Sequence, residues 1–478
     1  MIAPPDQYDR KERDGLAEAG RGLWRLGLVA LLAGALTGAV GGAFRLVLRA
    51  AFDLRMRVAD YAHGLGWWGI LLPVAGVAAG AGIARLLVRW APEAGGSGVQ
   101  RVEAVMRGQE GPARLRVLPV KFVGGAIALG SGLVLGREGP TVQMGATIAD
   151  ALSRLFRLPD ADMRDLQAAS AGAGLGVAFS APVGGAMFAF EEVRRAFTPR
   201  LVVAGVLACS AAWTVGRLLL GTSPDFSVRA LSPMAWTTLP AVLVFGAVLG
   251  LLGVLYNRLV ILLHDLNARI TAVPPELRAA VIGGIVGAAL WFEPRIVGGG
   301  DPVAQSALRA ALPVGTVAVI LVFRWFLAPL SYAAGTPGGL FAPLLVVGAL
   351  SGALFAAGWN RLVPGVPIDP VALSIVGMST FFAATVRAPF TGILLIMEMT
   401  ATTSQTVPML AAAGTALAAA TLVKGPPIYD TLRFGMLRDE AGRATAAGKM
   451  TVDMQNGEGH TAAESVVTFP ASEHKENP

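Results

Sequence analysis

Three carboxylates stand where an apolar chain rarely keeps one. Glu138 follows Arg137 in the middle of "GSGLVLGREGPTVQMGA" (130–146), and Glu191 and Glu192 close an uncharged run of 25 residues in "FEEVRR" (190–195). A carboxylate at the first turn of a helix can occupy a place that an anion would otherwise take, because free N–H groups and the positive dipole end meet there. Once protonated, it can leave that place to a real anion. One side chain would then compete with an anion and carry a proton. The alternative, a structural pair with Arg137, is weaker, since adjacent residues rarely face each other on one element. For Glu191 and Glu192, the choice lies between a solvated helix end and a proton entry point on the cytoplasmic side.

The elements that hold these residues follow from composition. The chain is 54% hydrophobic and 15% charged, with 60 glycines. Soluble domains carry about 25% charged residues. Residues 26–44, 61–84, 166–190, 230–257, 325–360 and 399–423 contain no Asp, Glu, Lys or Arg. A hydrocarbon core takes roughly 20 apolar residues to cross. The fold class is therefore an all-α polytopic membrane protein. Residues 1–25, with "RKERDGLAEAGRGLWR", are expected as an amphipathic cytoplasmic segment, 26–437 as the membrane domain, and 438–478 as a polar, disordered tail without a regulatory domain. No cleavable signal peptide is visible. The net charge of +7 fits basic loops facing the cytoplasm. It does not fit nucleic-acid binding, because no basic cluster is interleaved with aromatics. The single cysteine, Cys209, excludes an internal disulfide and reads as a small buried hydrophobe. Trp67 and Trp68 read as interfacial anchors.

The run around Glu138 is not one span. Lys121 and Arg137 bracket 15 uncharged residues, and Glu138 and Asp150 bracket 11. Two short helices meeting at "GREGP" fit better, with Pro140 in the first turn of the second. Irregular backbone at membrane depth is tolerated only where protein or a watery cavity covers it. The chain also repeats. "GREGPTVQMG" (136–145) aligns with "GLFAPLLVVG" (339–348), and "APVGGAMFAFEE" (181–192) with "APFTGILLIMEM" (388–399). Two halves, roughly 26–220 and 230–437, are expected, with a site between them. Three Gly-rich breaks, "GGSGVQ" (95–100), "GREGP" (136–140) and "GTPGGLFAP" (335–343), each precede an apolar run. Together they describe an anion site built mainly of backbone N–H groups. No break matches a P-loop.

These motifs, with "LPVKFVGG" (118–125), "RAPFTGILLIMEMT" (387–400) and "KGPPIYDTL" (424–432), resemble the CLC family of chloride channels and proton-coupled chloride antiporters, and among them the bacterial antiporters. The resemblance implies an inverted repeat of roughly eighteen tilted helices and a homodimer with one pathway per subunit. It implies an inner (plasma) membrane location with both termini cytoplasmic. Chloride and protons would be the substrates, in a lipid bilayer, with no cofactor, no metal and no nucleic acid. Ser97 and Tyr429 match the serine and tyrosine that coordinate the central anion. Leu340 and Phe341 match the backbone donors, and Arg137 and Gly139 lie in the same anion-binding motif. Glu138 matches the outward-facing gating glutamate and Glu192 the internal proton-transfer glutamate. Glu103 and Lys121 match a buried charged pair. Gln100 and Arg101 depart from the usual proline and acid, and place a basic residue near the anion entrance. Ser97 favours chloride over nitrate, and the intact "GREGP" argues against fluoride.

The presence of both Glu138 and Glu192 points to antiport. A passive chloride channel on the same scaffold stays open as an alternative. A membrane-embedded enzyme does not fit: the four histidines, His63, His264, His460 and His474, lie outside the motifs and show no metal-ligand spacing.

Overall fold

The computed structural model describes residues 5–221 and 223–441, with side chains from residue 22 onward. The first half runs α1 (Pro5–Gly64), α2 (Leu71–Leu87), α3 (Val99–Met106), α4 (Val117–Ser131), α5 (Glu138–Leu155), α6 (Asp160–Phe179), α7 (Pro182–Phe188) and α8 (Pro199–Leu220). The second runs α9 (Leu239–Arg269), α10 (Pro275–Phe292), α11 (Asp301–Ala307), α12 (Val314–Ala333), α13 (Phe341–Leu362), α14 (Pro370–Val386), α15 (Pro389–Thr400) and α16 (Thr406–Leu422). A π-helical turn, Ala189–Val193, extends α7, and a final helix opens at Ile428.

Among the described residues, seven helical stretches are long and apolar enough to cross a bilayer. Large apolar side chains such as Leu28, Leu255, Val322 and Phe326 stay exposed, whereas much of the interior is Ala and Gly. That is the pattern of helices that associate through small residues rather than through a hydrophobic effect. The interruption expected around Glu138 is present, with α4 ending at Ser131 and α5 beginning at Glu138. The N-terminal segment and the first membrane stretch form one helix, since α1 runs from Pro5 to Gly64. Most of the expected tail lies outside the described residues.

The duplication reads directly from packing. α5 lies on α6 as α13 lies on α14, and α1 lies on α8 as α9 lies on α16. The two latter contacts are close enough to demand glycine. A Cβ on Gly34 would stand 2.2 Å from the Ala208 carbonyl oxygen, and one on Gly246 2.3 Å from that of Ala412. The end glycines of the repeated motif have the same reason: a Cβ on Gly145 would stand 2.2 Å from Ser170 O, and one on Gly348 2.3 Å from Gly377 O. The short helices α3 and α11 are each entered through a left-handed glycine, Gly98 at φ 90° and Gly300 at φ 95°, a conformation that costs a side-chain-bearing residue. The uncharged "AAAGTALAAA" run supplies Ala412 and Ala416 to the α9 contact, as close helix packing requires.

Candidate functional site

The Gly-rich breaks of the two halves are stitched together. Gly136 N donates to Gly339 O and Gly339 N to Gly136 O, both at 2.8 Å. Gly96 N donates to Thr336 O at 3.2 Å, and Gly338 N donates to Gly96 O at 3.1 Å. These are isolated bridges between loops, and they bring the N-termini of α3, α5 and α13 to one place.

Glu138 is the first residue of α5 and is fully buried. Its Oε1 accepts from the backbone N–H of Ala342, in the first turn of α13, at 2.7 Å. Its carboxylate lies against glycine on two sides, because a Cβ on Gly136 or Gly339 would fall 1.9 or 3.3 Å from Oε1. The other oxygen, Oε2, has no hydrogen-bond partner among the described residues. The carboxylate of one half therefore occupies the helix N-terminus of the other. Leu340 is the N-cap of α13 and Phe341 its first residue, so both N–H groups belong to the unsatisfied first turn. Ala342, which receives the carboxylate, is not among the expected donors. Its signal is nonetheless present in the sequence, since it follows Phe341 in the same first turn and precedes Pro343.

Ser97 lies within the first break, just before the N-cap Gly98 of α3, and is fully buried. Its Oγ faces Gly139, where a Cβ would stand 2.5 Å away. Tyr429, on the final helix, is also fully buried, and its ring stacks on that of Phe341 with centroids 5.7 Å apart. Phe341 packs in turn on Phe188 and Phe382 at 5.6 and 4.8 Å. The Ser97 and Tyr429 hydroxyls face each other without closing to a hydrogen bond, and neither has another hydrogen-bond partner among the described residues. A buried hydroxyl left unpaired costs about 1–3 kcal/mol, so both are disposed to bind a ligand. The structure thus brings together Ser97, Glu138, Gly139, Leu340, Phe341 and Tyr429.

The Arg137 guanidinium enters a network of ion pairs. That group donates to Asp301 at 2.8 Å, to Asp225 at 3.3 Å and to the Ala178 carbonyl at 2.8 Å. Asp225 also receives Arg45 at 2.6 Å. The Arg137 guanidinium is engaged by this network, and its charge also acts on the neighbouring Glu138. Neither Asp225 nor Asp301 announces itself in the sequence, since each lies far along the chain from Arg137. The network borders a cavity of about 720 Å³, lined also by Arg49, Arg55, Gly136 and Ala342.

Glu192 lies on the π-helical turn and is 2% exposed. Its Oε1 pairs with Arg195 at 3.4 Å. Together with Glu191, Arg195 and Arg387 it lines a second cavity, of about 570 Å³. Glu191 serves the fold, because its carboxylate accepts from Phe390 N at 3.2 Å and from Thr391 N at 2.7 Å and so caps α15. Of the adjacent acids, only Glu192 is buried.

The expected pair of Glu103 with Lys121 is not formed. Lys121 is fully buried and donates to the Ala94 and Gly96 carbonyls at 3.0 and 2.8 Å, which fixes the backbone immediately before Ser97. Glu103 instead lies 4.0 Å from Arg107. Arg101 pairs with Glu110, and Gln100 donates to the Tyr332 hydroxyl at 3.4 Å. The basic charge that departs from the usual motif is thus compensated by an acid. Arg387 donates to the Leu417 and Gly425 carbonyls at 3.1 and 2.8 Å, a structural role at the end of α16. Cys209 is buried, and no group of metal-ligating side chains occurs among the described residues. His460 and His474 lie outside them.

Comparisons with known proteins agree on one family. A family model described as voltage gated chloride channel matches residues 79–421. The H(+)/Cl(-) exchange transporter ClcA of Vibrio cholerae is 39% identical over 361 residues, covering 74% of this chain and 77% of that one. The transporter of the same name from Vibrio parahaemolyticus is 35% identical over 421 residues, covering 86% and 90%. Among solved structures, one described as a slow cyanobacterial Cl-/H+ antiporter superposes with a TM-score of 0.82 at 28% identity, covering 87% of this chain and 98% of the other. A CLC-type fluoride/proton antiporter shares the fold, with a TM-score of 0.69 at 23% identity, covering 84% and 96%.

Proposed function

Because the chain belongs to the voltage-gated chloride channel (CLC) family of multi-pass membrane proteins, we propose that it exchanges chloride for protons as a secondary active antiporter. The observation that carries this reading is the 2.7 Å hydrogen bond from Ala342 N to Glu138 Oε1. A carboxylate in that position blocks the N-terminus of α13 to any anion. Protonation removes the negative charge that holds it there, and the vacated N–H groups then suit chloride. Each anion that enters is thereby linked to a proton on Glu138.

Ser97 Oγ and the Tyr429 hydroxyl supply the side-chain donors of the central chloride site, and the first-turn N–H groups of α5 and α13, at Gly139, Leu340 and Phe341, supply the rest. Glu192 is the internal proton-transfer group, reached through the cavity that it lines with Glu191. The Arg-bordered cavity beside Gly136 and Ala342 is the outer approach. The end that carries Glu192 faces the cytoplasm in this reading, as family membership suggests. We place the protein in the inner membrane with both termini cytoplasmic. We infer a homodimer with one pathway per subunit from family membership.

The test is proton movement in reconstituted vesicles under a chloride gradient, with no pH gradient and with voltage controlled. Uphill proton transport is expected. Chloride flux with no proton movement would make the protein a passive channel and Glu192 a bystander.

A further inference from the structure

Glu192 stands in a set of five charged side chains drawn from three separate elements. Glu103, on α3, is among the charged groups that act on its carboxyl. Glu192 Oε1 pairs with Arg195 at 3.4 Å. The same Nη2 of Arg195 lies 3.2 Å from Asp430 Oδ2. Asp430 Oδ1 lies 3.2 Å from Arg107 Nη2, which is 4.0 Å from Glu103 Oε2. The chain of ion pairs thus runs Glu192, Arg195, Asp430, Arg107, Glu103. Asp430 is the neighbour of Tyr429 on the final helix, so these pairs join the glutamates to the element that carries the anion-facing hydroxyl.

Resting on the antiport reading above, we propose that Asp430, Arg195 and Arg107 are positioning residues that set how readily Glu192 takes its proton and that tie this charge to the helix of Tyr429. The physics is a competition for Arg195. When Glu192 is ionised it shares this guanidinium with Asp430. When Glu192 is protonated, Arg195 is released toward Asp430, which tightens the hold on the Tyr429 helix. The other charged groups near Glu192 have partners of their own. Glu191 caps α15. Arg194 donates to Asp165 of α6 at 3.1 Å, and Arg200, on α8, to Asp162 at 2.6 Å. Arg387 faces the same cavity and holds carbonyls of α16 and Gly425.

The test is the pH dependence of chloride-driven proton transport in vesicles. Asp430→Asn removes a negative charge, leaves Arg195 to Glu192 and Glu103, and should move the midpoint to lower pH by roughly one unit. Arg195→Gln removes the stabilising cation and should move it to higher pH by a similar amount. The double variant should return close to the original midpoint, and Asp430→Glu should behave as the unmodified protein. A merely structural role would lower transport in both single variants with no opposed shift. Unmoved midpoints, or midpoints moved in one direction, would overturn the proposal. If the unmodified protein drives protons but the shifts are absent, the positioning role fails while antiport stands. If the unmodified protein drives no protons, the antiport reading itself fails.

Discussion

Glu191 and Glu398 are equivalents in the two repeats, and each caps a helix of the other repeat. Glu191, beyond α7, accepts from Phe390 N and Thr391 N at the start of α15. Glu398, near the end of α15, accepts from Val183 N at 3.1 Å and Gly184 N at 2.7 Å at the start of α7. The spacing explains it: Ala181–Glu192 and Ala388–Met399 are the aligned segments, and the two acids hold the same place in each. Two repeats that must stay in register around a shared site are thus locked by one reciprocal contact.

Removing either carboxylate should have the same effect. Glu191→Ala and Glu398→Ala each strip a helix N-terminus of its cap and should each cost about 1–2 kcal/mol. Thermal unfolding in detergent would show comparable losses for the two. A large loss for one and none for the other would break the equivalence.

Asp225 should stabilise the network around Arg137 over most of the pH range. It lies in the loop after α8. Burial alone would raise its carboxyl, but Arg45 and Arg137 outweigh that and hold it below the ordinary carboxylate range. A depressed carboxylate contributes stability that is present above the unfolded value of about 3.9 and is lost as pH falls through the folded value. Asp225→Asn should therefore be less stable than the unmodified protein at neutral pH, by about 3 kcal/mol for a broken buried pair. The difference should close only below pH of about 4. Unfolding followed against pH would reveal it, and a gap that closed already near pH of about 6 would contradict the ion-pair account.

Ser97→Ala should weaken chloride binding by about 1 kcal/mol, roughly fivefold, because one hydroxyl is lost while backbone donors and Tyr429 remain. Calorimetric titration with chloride measures it. Unchanged affinity and unchanged selectivity over nitrate would remove Ser97 from the site.

The parts legible in the sequence are those whose reason is local. Charge-free runs announce the membrane helices, and glycines flanking Glu138 announce the break. The repeat is visible because Gly145 and Gly348 meet backbone at nearly the same close distance in both halves. Ser97, Glu138 and Tyr429 stand out as motif residues. What stays hidden depends on contacts between distant segments. The motif pairs Lys121 with Glu103, yet Lys121 holds the Ala94 and Gly96 carbonyls, because the first break folds back over α4. Nothing near Arg137 in the sequence reveals that Asp225 and Asp301 engage its guanidinium. Asp430 follows Tyr429 directly, but nothing in "IYDTL" reveals that Arg195 and Arg107 meet there.

The central claim is that one carboxylate, Glu138, both blocks the anion path and carries the proton. The most direct measurement is chloride flux and proton flux recorded together in vesicles containing Glu138→Ala. Chloride should still move and proton transport should be abolished, since the N–H groups of α13 remain and the proton carrier is gone. Proton transport that persisted alongside chloride in this variant would contradict it and assign the gate to another residue.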